Sequence, residues 1–497
     1  MAPNNLILAL DQGTTQNKAF VFDSRLRVLA EAARELPQHF PRPGWVEHDL
    51  DRIHAGALAA AKDAIRKARV SPSRIGAIGI TNQRETTGIW SAASGKPRGR
   101  AIVWQDRRTA DDCARMKREG LEDLFQRKTG LVLDPYFSGT KIAWMLDRSP
   151  ALRRDAERGR VRFGTMDTWL AWKLTGGEAH VTDTSNASRT LLMDLETGAW
   201  DDELCAALRV PRAMLPRILD NDAVFGATRG VGFLPDGIPI TSLIGDQQAA
   251  LFGHGCHAPG EAKCTYGTGA FLVANTGKAI VRSRAGLLST AAWKLRGKPV
   301  FALEGSTFIA GAIVQWLRDG LGLIRSSSEV ERLAGSVEDS GGVTLVPALT
   351  GLGAPHWDPG ARGLISGITR GTGPGHVARA ALEGIAFQVL DLVEALEKDL
   401  GRKIRALKVD GGAAGNDLLL RFQADVLGRS VLRPAMTSST AAGTAMLAGL
   451  SAGIIEKVGD VKAGPGGREK RFEPRMGSKE RTARVAEWRK AVVRARM

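Results

Sequence analysis

The sequence predicts an α/β protein of two related domains, each a mixed or parallel sheet covered by helices, and three observations carry that prediction. The chain has 497 residues, more than one hydrophobic core normally serves. Its first eighty residues alternate in the order strand, strand, strand, helix, strand, which argues for a sheet with sites at the C-terminal ends of its strands. A β-hairpin with a glycine-threonine tip occurs at Gly13-Thr14-Thr15 and again at Gly267-Thr268-Gly269, the mark of a duplicated plan in which each domain lends a tip to a shared cleft. The division is placed between residues 254 and 255, giving an N-terminal domain of residues 1–254 and a C-terminal domain of residues 255–497.

Bulk properties narrow the function classes. With 43% hydrophobic and 25% charged residues the composition is that of a globular protein. Lys and Arg number 69 against 53 Asp and Glu, and the net charge of +16 favours anionic ligands. The cations are spread along the chain without an arginine-rich arm, so no nucleic acid partner is expected. Cys113, Cys205, Cys256 and Cys264 form no CxxC pair and no zinc spacing, and read as free thiols of a reducing, cytoplasmic setting. The apolar run at the N-terminus is five residues long before Asp11 interrupts it, and no segment is long enough to insert in a membrane.

Taken in order, Leu6 to Asp23 reads as two strands around the first tip. That tip is either a polar turn or a polyanion cradle, with backbone N–H groups and hydroxyls converging, Lys18 as cation and Asp11 beside it for a metal. A third strand near Arg27 to Ala33, a turn-rich excursion from Pro37 to Asp49, a helix from Asp51 to Val70 and a buried strand from Ile75 to Thr81 follow. The strand runs into Asn82-Gln83-Arg84-Glu85-Thr86-Thr87, where Arg84 and Glu85 form either a local ion pair or part of a small polar site. A second strand, Ala101 to Trp104, ends at polar residues, so Trp104 is either core or a ligand platform.

A turn at Asp134 to Thr140, with Tyr136 able to overhang the cleft, leads into a helical run from Lys141 to Leu146. Phe163 to Leu174 reads as helix, and Val181 to Thr190 as caps and turns. The strand Ile238 to Ile244 delivers Asp246 to a strand-to-helix junction, as an N-cap or as a general base aimed into a cleft. After the second hairpin, Ala262 to Asn275, the stretch Ala302 to Trp316 reads as a small-residue helix that lets a ligand come close. Leu407 to Asn416 is a strand and glycine turn before a helix from Asp417 to Leu427, a place for phosphate or ribose. Gly464 to Gly467 reads as a linker, and Ser478 to Arg496 as a basic helix whose Val485, Trp488 and Val492 dock back on the body.

There is no Walker A sequence, no protein-kinase motif set and no Rossmann GxGxxG. Instead Asp11-Gln12-Gly13-Thr14-Thr15, Asn82 to Thr87, Tyr136 to Trp144, Gly245-Asp246-Gln247-Gln248, Thr265 to Gly269 and Asp410-Gly411-Gly412, in that order, resemble the glycerol kinases of the FGGY carbohydrate kinase family. The resemblance runs to about Leu450. It implies the actin-like ATPase fold, two ribonuclease-H-like domains around a central nucleotide cleft, and ATP-dependent phosphorylation of glycerol to sn-glycerol 3-phosphate with magnesium.

By that resemblance Asp246 is the catalytic base and, with Asp11, a metal ligand. Arg84, Glu85, Trp104, Tyr136, Asp246, Gln247 and Phe271 bind glycerol. Thr14, Thr15, Gln16, Lys18, Thr268, Gly311, Gln315, Gly412 and Asn416 bind ATP, and the family suggests a homodimer or homotetramer. Two departures stand out. Lys18 occupies a place where relatives commonly carry arginine, keeping the charge without the bidentate fork. Gly237 falls where the relatives inhibited by fructose 1,6-bisphosphate carry an arginine, which implies weak or absent inhibition by that compound. Two alternatives stay open at this level, a kinase for another polyol or ketose and a noncatalytic actin-like nucleotide switch.

Overall fold

A computed structural model describes residues 5–435, 438–457 and 469–497, so the predicted linker at Gly464 to Gly467 lies outside the described residues. Strand β1 (Leu6–Gln12) is buried at every position except Asp11, which is why it reads as a continuous apolar run: it sits mid-sheet with both faces covered. It turns at Gly13 into β2 (Gln16–Phe22), antiparallel, and then into the edge strand β3 (Val28–Glu35), whose residues are mostly exposed. Helix α1 (Leu50–Ala68) starts where the Asp49 carboxylate accepts from the Arg52 N–H and ends where Arg69 turns left-handed. Ile53, Ala57, Ala60, Ala61 and Ala64 form its buried stripe. Strand β4 (Ile75–Asn82) returns parallel to β1.

Much of the first half intervenes before the same sheet resumes, including α2 (Ser138–Asp147) and α3 (Met166–Leu174). Then β5 (Gly226–Ala227) and β6 (Pro239–Gly245) complete an order of β5-β6-β4-β1-β2-β3, with β6, β4 and β1 mutually parallel. Helix α4 (Asp246–Gly253) leaves the end of β6.

The second half repeats this plan. The hairpin of β7 (Ala262–Tyr266) and β8 (Ala270–Gly277) is followed by β9 (Leu288–Leu295) and β10 (Lys298–Thr307). After α5 (Gly311–Asp319) and the long α6 (Pro374–Leu400) come β11 (Leu407–Asp410), α7 (Asp417–Leu427) and β12 (Val431–Arg433). Helix α8 (Ser439–Ser451), strand β13 (Lys470–Phe472) and helix α9 (Ser478–Ala495) close the chain. The sheet runs β9-β10-β8-β7-β11-β12-β13. Set beside the first, β10-β8-β7 repeats the antiparallel β3-β2-β1 meander and β11-β12 repeats the parallel β4-β6 pair, with β9 added at the edge. This is the ribonuclease-H-like arrangement, present twice.

Helix α8 packs on β1, β4 and β6 of the first sheet, so the halves share a core across the cleft floor, where Ile7, Ala9 and Ile244 meet Val273, Ala441 and Ala445. It crosses α4 with Gly253 and Gly443 at the contact, and a methyl on either would collide with the other helix's backbone. The basic terminal helix α9 docks on α6: Trp488 stacks on Phe387 at 5.3 Å and its indole N–H donates to Asp391 at 2.8 Å.

Several sequence-based boundaries are corrected. Ala302 to Thr307 is the end of strand β10, not helix, and the helix begins at Gly311. Its small residues suit either state, and pairing with β8 and β9 decides. Phe163 belongs to a short strand, Val161–Gly164, that pairs with Gly88–Ser91 before α3 starts at Met166. The strand predicted over Ala101 to Trp104 stops at Ile102, which puts Trp104 in a turn.

Candidate active site

The turn after β4 carries Arg84 and Glu85, two of the residues predicted to bind the acceptor. Glu85 adopts φ +61°, a left-handed conformation that a side chain with a Cβ rarely takes, and its carbonyl oxygen accepts the hydroxyls of Thr87 and Ser138. Arg84 and Glu85 are each others' neighbours but not each other's main partners, since Arg84 Nε is 3.8 Å from Glu85 Oε1. Arg84 instead forks onto Glu304 of β10, Nη1 to Oε2 at 2.5 Å and Nη2 to Oε1 at 2.8 Å. Arg189 donates through Nε to Glu85 Oε1 at 2.7 Å and through Nη2 to Glu304 Oε1 at 2.9 Å. All four residues are 2% exposed or less.

The two carboxylates respond differently to this burial. Desolvation would raise Glu304, but Arg189 and Arg84 beside it bring its carboxyl down to about 2. Glu85 stays above the usual carboxylate range, because burial outweighs Arg84 and Arg189 there.

Tyr136 hangs over this cluster. Its hydroxyl accepts from Arg84 Nη2 at 3.3 Å, and burial raises its phenol. Trp104 packs edge-on against Tyr136 at 5.6 Å and Phe271 at 5.9 Å, the last contributed by β8 of the second half. These three rings form an apolar wall beside the charged floor. The Trp104 indole N–H donates to Thr14 Oγ1 at 2.9 Å, so the wall is tied to the first hairpin tip.

Asp246 is the first residue of α4, with Gly245 as the N-cap, so its carboxylate does not close the helix in the usual way. It accepts the adjacent Gln247 N–H at 2.7 Å and lies 3.4 Å from Arg84 Nε, with 30% of its side chain exposed. Burial raises its carboxyl against the pull of Arg84 and Lys263. The strand end beneath it is fixed by Ser185 Oγ, which accepts from the Gly245 N–H at 2.9 Å, and Ser185 is in turn held by Asp183. Asp11 pairs in register with Lys18 across the first hairpin. Its carboxyl is pushed up to about 6, mainly by burial, relieved by Lys18 and reinforced by Asp246.

Gln247, predicted to touch the acceptor, has its carbonyl end bound by the buried Lys263. Lys263 also donates to Thr265 Oγ1 at 2.9 Å, whose hydroxyl donates to Asp410 at 2.5 Å. This file of polar groups runs from Asp246's helix into the second sheet. Burial would raise Asp410, but His254, Lys263 and Thr265 bring it to about 2.

Seven of the nine residues predicted to bind ATP gather around two cavities. Thr268, Gly311, Gln315, Gly412 and Asn416 line one of about 520 Å³ between α5 and the turn after β11. Gln16 and Lys18 line another of about 930 Å³, which shares Gly412 and adds the cations Lys67, Arg433 and Lys470. Gly411 turns the chain at φ +91°, where a Cβ would meet the Tyr266 carbonyl at 2.5 Å. Asn416 accepts the Leu419 N–H at 2.8 Å as the cap of α7, so only its amide faces the cavity's contents. Thr14 and Thr15 line neither cavity: Thr15 is exposed at the tip, and the Thr14 hydroxyl is engaged by Trp104.

The sequence reading missed Glu304, Arg189 and Lys263. For Glu304 and Lys263 a signal was present, a charged residue inside an apolar strand, as in Phe301-Ala302-Leu303-Glu304. Arg189 stood in a polar stretch already explained by caps.

Comparison with known proteins agrees with this geometry. Residues 6–253 match the FGGY family of carbohydrate kinases, N-terminal domain, and residues 262–452 its C-terminal domain. The chain is 56% identical to a glycerol kinase of Myxococcus xanthus over 491 residues, 98% of this chain and 99% of that one. It is 53% identical to a glycerol kinase of Deinococcus radiodurans over 496 residues, covering 100% and 98%. A crystal structure of Plasmodium falciparum glycerol kinase with ADP superposes with a TM-score of 0.90 at 36% identity, covering 99% of this chain and 98% of that one.

Proposed function

The chain belongs to the FGGY family of carbohydrate kinases, and we infer that within it this protein transfers the γ-phosphoryl group of ATP to glycerol, giving sn-glycerol 3-phosphate and ADP. The observation that carries the reading is the meeting of Arg84 Nε with the Asp246 carboxylate at 3.4 Å under the wall of Trp104, Tyr136 and Phe271. That is a compartment with a cation, an acceptor carboxylate and one apolar side, matched to a molecule with three hydroxyls on a three-carbon edge.

In this reading Asp246 accepts the proton of a terminal hydroxyl as its oxygen attacks the γ-phosphorus, and ADP leaves on the opposite side. Arg84, Glu85 and Tyr136 orient the hydroxyls, and the amide end of Gln247 supplies a further donor. Thr14, Thr15, Gln16 and Thr268 supply donors to the phosphates from the two hairpin tips, with Lys18 as the nearby cation, while Gly311, Gln315, Gly412 and Asn416 border the remainder of the nucleotide.

Asp11 and Asp246 suit magnesium. The charge of Asp246 raises the proton affinity of Asp11, a repulsion that a divalent cation would relieve, and magnesium is commonly held by one or two carboxylates plus waters and substrate phosphates. When bound it neutralises charge on the phosphate oxygens. We take the division between the halves at residues 254 and 255, a homodimer or homotetramer as the assembly, and a reducing cytoplasm as the compartment, the last in keeping with four buried free thiols.

A coupled assay of ADP release across glycerol, other polyols and ketoses tests the activity. Turnover that prefers glycerol supports the reading, and a preference for a ketose or longer polyol replaces it.

A further inference from the structure

Building on the acceptor pocket proposed above, we propose that Glu304, braced by Arg189, is a specificity-determining positioning residue: it fills the fork of Arg84 so that the pocket admits a neutral polyol and rejects a three-carbon acid. Neither residue touches the reacting atoms. What they control is which edge of Arg84 the substrate meets.

Arg84 offers a carboxylate two parallel N–H groups only if its fork is open. Here it is closed. Nη1 donates to Glu304 Oε2 at 2.5 Å and faces Gln248 Oε1 at 3.3 Å, while Nη2 donates to Glu304 Oε1 at 2.8 Å and reaches Tyr136 at 3.3 Å. Nε alone is left on the Asp246 side, a single donor suited to one hydroxyl oxygen.

Charge works in the same direction. Arg84 and Arg189 are answered by Glu85 and Glu304, and Asp246 adds one more negative charge. Of two further buried cations nearby, Lys263 is answered by Asp410 through Thr265, and Lys141 is held by the Tyr136 and Phe137 carbonyl oxygens. A carboxylate entering this floor meets the charge of Asp246 while the fork of Arg84 is already taken. Arg189 holds both glutamates at once and itself packs against the neighbouring rings of Tyr136 and Phe137, at 5.5 and 5.2 Å, so Glu304 cannot swing away from Arg84 without breaking that brace.

The test compares the unaltered enzyme with Glu304→Gln and Glu304→Asp, measuring kcat and KM for glycerol, KM for ATP, and competitive inhibition by D-glycerate. Phosphorylation of glycerol by the unaltered chain checks the activity itself, so its failure is distinguishable from failure of this inference. The unaltered enzyme is expected to ignore D-glycerate. In E304Q the inhibition constant for D-glycerate, taken relative to the glycerol KM, is expected to fall about tenfold or more with the ATP KM unchanged, whereas E304D keeps the exclusion.

An unaltered enzyme that binds D-glycerate well, or an E304Q enzyme with normal ATP binding that still excludes it, overturns the proposal. If E304Q does not fold, the Arg189→Gln, Glu304→Gln double variant carries the same test. It opens the fork without changing the net charge, and undiminished exclusion there also overturns the proposal.

Discussion

At the acceptor end of the cleft the floor is made of charged side chains, Arg84, Glu85, Arg189 and Glu304, buried and bonded to one another, while at the nucleotide end the walls are glycines and exposed polar groups around cavities of about 520 and 930 Å³. The first region gains its precision from side chains that fix each other's rotamers, with residues from both halves of the chain contributing. The second relies on backbone shape, at glycines such as Gly411 and Gly311 where the chain must pass close to its neighbour. Chemistry that reads a small polar molecule needs a rigid and expensive floor, whereas a long polyanion offers many contacts and tolerates an open site. Damage at the two ends should therefore register differently in kinetics.

The largest effect is expected at Asp246. Asp246→Asn should lower kcat by about a thousandfold or more with ATP affinity nearly unchanged, as steady-state rates and nucleotide titration would record. Near-normal turnover would remove Asp246 as the base.

Arg84→Lys comes next, because lysine keeps the charge but cannot fork onto Glu304. Its kcat/KM for glycerol should drop by about a hundredfold, with the ATP KM within about twofold of normal. A loss shared equally by both substrates would erase the distinction between the two ends.

At the nucleotide end, Gly311→Ala puts a methyl within 2.7 Å of the Gly267 carbonyl. It should raise the ATP KM by about tenfold and leave the glycerol KM alone, a mirror image of the Arg84 result.

Asp11 provides a pH test of the junction between the ends. Its carboxyl ionises near pH 6, above its unfolded value of 3.8, so the folded chain binds the extra proton between those values. Without metal or nucleotide, Asp11's contribution to stability is therefore largest below pH 3.8 and is lost as pH rises through 6. Metal needs the ionised form, so magnesium-nucleotide affinity should weaken as pH falls through 6, by about tenfold per unit below it, and Asp11→Asn should remove that slope. Thermal unfolding and nucleotide titration across pH 5 to 8 would measure both. The smallest change is expected from Lys18→Arg, a shift of about twofold in ATP KM, since Lys18 lies on the open wall of the larger cavity.

The hairpins and the first parallel strand were legible because their signals are local: apolar runs that end at glycine and threonine. The boundary errors have the same origin. Ala302 to Thr307 carries no strong preference, and its neighbours β8 and β9 make it a strand. At the site, Arg84 and Glu85 could be named from the strand end they follow and Asp246 from its strand-to-helix junction, yet whether Arg84 and Glu85 paired with each other stayed open. Their true partners lie 220 and 104 residues away along the chain.

By itself the sequence determined the duplicated α/β plan, the two glycine-threonine tips and the acidic and basic residues offered at strand ends, since each depends on local pattern and spacing. The tertiary structure alone decided that Glu304 would close the fork of Arg84, that Lys263 would take the carbonyl end of Gln247, and that α8 would cover the first sheet. Those outcomes follow from burial: once water is excluded, a charged group takes whatever opposite charge the fold brings within reach, and no spacing along the chain records which one that is.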